Sequence, residues 1–160
     1  MLVIDDAGRV LMFRGFDPAN PGRRYWFTAG GGLDPGESPA EGAVRELWEE
    51  TGLRLTAAEI GPPVWQDVTD FPYDGRWYRQ EQEFFAVRVG PEARVHTAGF
   101  DAEELRSIDG YRWWSVDELA AADEPIYPPD LPDLLRRVYA IAGSAAPDAA
   151  PRPGHGERGE

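Results

Sequence analysis

Residues Gly31 to Leu53 read GGLDPGESPAEGAVRELWEETGL, and three glutamates of this stretch, Glu46, Glu49 and Glu50, stand at i, i+3 and i+4 just before a glycine. Ser38, Pro39 and Glu41 have the form of an N-cap, a proline in the first turn and a capping-box glutamate, so the spacing predicts a helix that starts near Pro39 and stops at Gly52. On that helix Ala40, Ala43, Val44, Leu47 and Thr51 fall on one face and can pack on a sheet, leaving Glu46, Glu49 and Glu50 as an outward stripe. Like charges at this spacing destabilise a helix by roughly 0.2–0.5 kcal/mol per pair, and carboxylates in the last turn also face the negative end of the helix dipole. A divalent cation would reverse both penalties. Ahead of the helix, Tyr25 to Ala29 is strand-like, and Gly30, Gly31, Gly32 and Gly36 fill a connecting loop that lies near the acidic stripe.

The sequence around this stretch has the pattern of a sandwich of helices on a sheet. Leu2 to Ile4 and Arg9 to Phe13 flank Asp5-Asp6-Ala7-Gly8 as a hairpin. A polar loop is expected up to about Arg24, with further strands over Ile60 to Val68, Trp77 to Val89 and Tyr111 to Trp114. In the second of these, Glu81, Glu83 and Phe85 alternate with Gln82, Phe84 and Ala86. Ser115-Val116-Asp117-Glu118 repeats the capping-box pattern, and Leu131 to Ile141 reads as an amphipathic helix. From Gly143 the chain turns to Ala, Pro, Gly and charge without periodicity, so a domain over 1–142 and a disordered tail over 143–160 are expected.

Gly31, Glu37 and the run Arg45-Glu46-Leu47-Trp48-Glu49-Glu50-Thr51-Gly52-Leu53 fit the pattern G-x5-E-x7-R-E-U-x-E-E-x-G-U, with U apolar, at every specified position. The chain therefore resembles the Nudix hydrolases. The resemblance implies a single-domain α/β/α sandwich around a mixed sheet, and cleavage of a diphosphate linkage with Mg²⁺ or Mn²⁺. It also implies that Glu46, Glu49 and Glu50 are metal ligands and catalytic residues, that the Gly30 carbonyl is a further ligand, and that Glu37 and Arg45 form a structural ion pair between loop and helix. Hard oxygen donors of this kind suit Mg²⁺, which keeps several waters and shares substrate phosphates. The family often takes one more acidic catalytic residue from a distant loop; Glu81, Glu83, Glu103 and Glu104 compete for that role, and Glu104 is favoured by its place before Arg112-Trp113-Trp114. Which carboxylate takes a proton from water is left open. Members usually carry several residues before the first hairpin strand, whereas Met1 falls almost inside it here.

Composition narrows the substrate. The chain has 160 residues, a formal net charge of −13 and no cysteine, and its cations are all arginine. A surface that tracks a nucleic-acid backbone needs clustered cations, so a small nucleotide is expected as the partner and a nucleic-acid polymer is not. Arg14, Arg23 and Arg24 are the candidate substrate-binding cations, although ordinary surface arginines would look the same. Trp65, Phe71, Tyr73, Trp77 and Tyr78 are candidates to stack a base. Without cysteine or a membrane-length apolar run, a cytoplasmic enzyme with no membrane partner is expected, as a monomer or a homodimer. The expected function is a Mg²⁺-dependent hydrolase of a small nucleoside di- or triphosphate derivative; the alternative is a catalytically idle domain that senses a nucleotide.

Overall fold

The computed structural model describes residues 1–90, 93–100 and 104–144. β1 (Leu2–Ile4) and β2 (Val10–Asp17) form the expected hairpin, closed by Asp5 N–H to Arg9 O at 2.9 Å and by Gly8 in a left-handed conformation, φ 72°. β2 continues into a second hairpin with β3 (Asn20–Phe27), where a polar loop was expected. Pro21 is compatible with that strand because the parallel contact of β3 with β8 (Ile126–Tyr127) involves only Trp26 and Phe27, which leaves the start of β3 as an edge.

Six strands make one mixed sheet in the order β6–β1–β2–β3–β8, with β7 (Ile108–Trp114) also paired to β2. β6 (Ala86–Arg88) runs parallel to β1, so β1 lies inside the sheet although it opens the chain. Alternation along the strands divides the core into two layers. Val3, Leu11, Phe13 and Val87 pack on one face with Leu47 of α1 (Pro39–Thr51), whereas Leu2, Ile4, Val10 and Met12 pack on the other with Leu119 of α4 (Val116–Ala120) and Leu131, Leu134 and Leu135 of α5 (Leu131–Ser144). This is the α/β/α sandwich. Each fully buried Leu or Phe contributes about 1.5–3 kcal/mol relative to exposure.

The segment after the helix differs from the strand expected over Ile60 to Val68. A short α2 (Ala57–Ile60) starts at Thr56, whose N–H donates to the Glu59 carboxylate at 2.7 Å, and Gly61-Pro62-Pro63 ends it. β4 (Trp65–Tyr73) and β5 (Arg76–Phe84) then form a separate two-stranded ribbon. Its turn, Asp74-Gly75, has φ 47° and 74°, the two positive values that a tight primed turn requires. The strand expected to run to Val89 breaks at Phe85, where the chain passes from the ribbon, in which β5 pairs with β4, to the main sheet, in which β6 pairs with β1. A 3-10 turn, Thr97–Gly99, and a short α3 (Glu104–Ser107) lead into β7.

α5 includes Gly143 and Ser144, two residues that the sequence assigned to the tail; the remainder of that segment lies outside the described residues. Among the described residues no helix is long and apolar enough to cross a membrane.

Candidate active site

The helix that carries the glutamates is fixed at both ends by its own sequence. The Ser38 hydroxyl accepts from Glu41 N–H at 3.4 Å while the Glu41 carboxylate accepts from Ser38 N–H at 2.9 Å. At the other end Gly52, φ 73°, donates to Trp48 O at 2.8 Å. Gly42 lets the loop close onto the helix, since a Cβ there would meet the Leu33 side chain at 2.4 Å.

Arg45 is the hub of the site. Its Nε and Nη2 donate to the two oxygens of Glu37, each at 3.0 Å, in a two-pronged pair. Nη1 donates to Glu46 at 2.8 Å and to Glu49 at 3.1 Å, and Nη2 reaches the Gly32 carbonyl at 2.8 Å. The guanidinium is held well above its ordinary pKa, first by Glu37 and then by Glu46. Conversely, Arg45 and then the Asp34 N–H hold the Glu37 carboxyl below its ordinary 4.5. A depressed folded-state pKa gives stability that is complete above about 4.5 and is lost as pH falls through the lower, folded value. On acidification below that point the melting temperature of the parent should fall more steeply than that of Glu37→Gln, as thermal melts across the acid range will read.

The three glutamates do not share an outward stripe. Glu50 is only 1% exposed, and its carboxylate accepts from Gly30 N–H at 2.7 Å. The reason lies in helical geometry: Glu50 is seven residues from Ala43, nearly two full turns, so it points within about 20° of the packing face. Glu46 is largely covered and Glu49 is partly open. The Glu46 carboxylate rests directly on Gly31, where a Cβ would meet Oε1 at 2.5 Å. Gly31→Ala should therefore displace Glu46 and lower kcat at least tenfold without unfolding a loop residue that is exposed, a combination that turnover and circular dichroism will test together.

Among the described residues no three carboxylates or imidazoles converge as a ready-made cation site. Glu46 and Glu49 turn to one arginine nitrogen, and Glu50 turns to the glycine loop. The donor chemistry nevertheless fits Mg²⁺ or Mn²⁺: every candidate atom is a hard oxygen, and a cation would compete with Arg45 for Glu46 and Glu49.

A cavity of about 510 Å³ opens beside the glycine loop. Gly30, Gly31 and Glu46 lie at one end and the β4–β5 ribbon forms a wall. The ribbon is tied down at its tip, where Asp74 N–H donates to Asp17 at 2.9 Å, and at its base, where Phe84 enters the core with Trp65 packed against it. Arg23 and Arg24 line the cavity, Arg24 also bonding Asp109 at 2.6 Å and lying over the Phe16 ring. Arg14 is not among the lining residues; it pairs with Glu124 and lies 3.6 Å from Asp109. Of the aromatic candidates, Phe71 and Tyr73 line the cavity, whereas Trp77 is 77% exposed elsewhere on the ribbon. Tyr25 and Tyr127, not singled out from sequence, also line it. Burial pushes the Tyr25 hydroxyl up to about 12. Glu81 and Glu83 alternate with Gln80 and Gln82 along β5, so their side chains fall on the face away from the cavity, where Glu83 accepts from Gln66 at 2.7 Å; Glu103 and the side chain of Glu104 lie outside the described residues.

The NUDIX domain model matches residues 1–136, and the chain belongs to the Nudix family. It is a Nudix pyrophosphohydrolase that acts on a nucleotide diphosphate linkage, which leaves the idle-sensor alternative without support. It is 31% identical over 157 residues to an RNA pyrophosphohydrolase of Rhodospirillum rubrum, covering 94% of this chain and 88% of that one. A second RNA pyrophosphohydrolase, from Mesorhizobium japonicum, is 33% identical over 157 residues and covers 82% and 79%. The fold matches the crystal structure of MutT protein from Methanosarcina mazei Go1 with a TM-score of 0.60 at 21% identity, over 88% of this chain and 90% of that one.

Proposed function

We propose that the enzyme hydrolyses free nucleoside di- or triphosphate derivatives in preference to the 5′ ends of RNA. The observation that carries this reading is the charge of the cavity: Asp17, Glu46 and Asp67 line it against Arg23 and Arg24. A volume of about 510 Å³ accepts one compact nucleotide. A polyanion running out of such a mouth meets repulsion along its length. Free nucleotides also fit a cytoplasmic home for a cysteine-free chain.

Glu46, Glu49, Glu50 and the Gly30 carbonyl would hold a divalent cation. Bound there, it supplies charge neutralisation for the diphosphate and a lowered pKa for an attacking water. The chain's own groups do the rest. Of the three glutamates Glu46 alone lines the cavity, so it is the carboxylate placed to accept the water's proton. Arg45 holds Glu46 and Glu49 in position, and Arg23 and Arg24 offer charge-assisted bonds to phosphate oxygens.

A second reading, removal of pyrophosphate from RNA 5′ ends, is favoured by the names of the relatives. The two are separated by kcat/KM for nucleoside triphosphates, nucleotide sugars and 5′-triphosphorylated RNA at physiological salt, with Mg²⁺ and with chelator. Free nucleotides should lead by at least tenfold and release a nucleoside monophosphate. Equal or better processing of RNA ends would replace the first reading with the second.

A further inference from the structure

The β4–β5 ribbon has two long edges, and among the described residues no further strand pairs with either. The two-residue loop at Asp74-Gly75 makes Tyr73 and Arg76 the closing pair, which exchanges both backbone hydrogen bonds. The direction of every other backbone group follows from that pair. Tyr78, Gln80 and Gln82 turn their N–H and C=O toward β4, whereas Trp77, Arg79, Glu81 and Glu83 turn theirs outward. On β4 the outward residues are Gln66, Val68, Asp70 and Pro72.

The two edges are not alike. Along β4, Pro72 has no N–H to offer and the Val68 N–H is taken by the adjacent Asp67 Oδ1 at 2.8 Å, so this edge is blunted at both places. Along β5 there is neither proline nor glycine, and among the described residues no backbone partner reaches the outward groups of Trp77, Arg79, Glu81 or Glu83. Their side chains are exposed, Trp77 most of all. An open edge of this kind is a template for another strand.

Charge decides which strand. β5 is cationic where it starts, at Arg76 and Arg79, and anionic where it ends, at Glu81 and Glu83. A second β5 laid antiparallel sets each end against its opposite. Outward groups must meet outward groups for the hydrogen bonds to form, which restricts the register to shifts of two residues. Centred on Arg79 the pairing opposes Arg79 to itself, and centred on Glu81 it opposes Glu81 to itself. Centred on Gln80 it opposes Arg79 to Glu81 and Trp77 to Glu83, each twice by symmetry, with no like charges face to face. We infer that the outer edge of β5 pairs antiparallel with β5 of a second copy of this chain, Gln80 on the two-fold axis, so that two ribbons join as one four-stranded sheet.

The test is sedimentation of the full chain across a range of concentrations at low and high salt. The parent should reach the mass of two chains as concentration rises, and should associate less tightly at high salt. Arg79→Glu and Glu81→Arg each set like charges face to face at both symmetry-related positions, and each should raise the dimer Kd roughly tenfold or more. An equal mixture of the two variants restores a carboxylate opposite a guanidinium at both positions and should associate like the parent. The chain has no cysteine, so one introduced thiol reports the register. Gln80→Cys places two Cα atoms about 4.5 Å apart, within disulfide reach, and should cross-link on oxidation. Gln82→Cys, whose opposite is Tyr78, should not. A parent that remains a single chain at every concentration overturns the inference, even if its edge accepts an extended peptide. A dimer in which Gln80→Cys fails to cross-link uses another surface and overturns it too. Should the charge variants fail to fold, the parent's sedimentation and the Gln80→Cys cross-link decide the matter.

Discussion

Glu50→Gln and Glu49→Gln are each expected to lower turnover by about 10²–10⁴-fold, the range associated with loss of a positioned acid–base or metal-activating group. Glutamine keeps the size of the side chain, and its amide oxygen can still accept the Gly30 N–H that Glu50 holds at 2.7 Å. What is lost is the charge. In metal-free buffer the melting temperature of Glu50→Gln should change little, since the cost of the buried carboxylate is offset by the charge it offers the buried Met1 ammonium. Steady-state kinetics at saturating Mg²⁺, with melts in chelator, give both readings. Near-normal Mg²⁺-dependent turnover in both variants would remove these glutamates from the active site.

Arg45→Ala is expected to lower both stability and activity. The guanidinium joins Glu37 of the loop to Glu46 and Glu49 of the helix and also caps the Gly32 carbonyl. Its removal leaves three carboxylates without their common cation and the glycine loop without its tether. Turnover should fall at least tenfold, because the loop and Glu46 form one end of the cavity. Arg45→Lys should recover little, as an ammonium cannot make the two-pronged bond to Glu37 while reaching the other two. Mg²⁺ should recover part of the lost melting temperature by replacing the missing positive charge. A melt and a rate equal to those of the parent would make Arg45 an ordinary surface residue.

The glutamate-bearing helix α1 was legible because its signals are local. Ser38, Pro39, Glu41 and Gly52 each act within a turn of where they stand, and the helix bounds follow from them. The α/β/α sandwich was also implied, since the family pattern and the alternating apolar strands point to it. The segments read differently were those governed by distant partners. Asn20 to Arg24 looks like a loop by composition, yet β2 recruits it as a strand. The Thr56 and Glu59 pair was a readable helix signal, but Ile60, Val64 and Trp65 suggested a strand across it. Glu50 was assigned outward because charge outweighed helical phase, and its burial depends on the Gly30 N–H twenty positions away. The cavity was the least visible feature. It gathers Tyr25, Asp67, Gln80 and Tyr127, residues that no short motif connects.

The cavity wall and the glutamate-bearing helix α1 belong to different structural units, and this separation bears on how such an enzyme diverges. The ribbon is a sheet of its own, joined at its tip through Asp17 and at its base through Phe84 in the core, while the glutamates and Arg45 are fixed within a single helix and its loop. A substitution at Asp67, Gln80 or Gln82 changes the wall without disturbing a cap, an ion pair or a core residue of α1. Mutational drift on one hairpin can therefore exchange one substrate for another within a lineage while the hydrolytic apparatus is inherited intact.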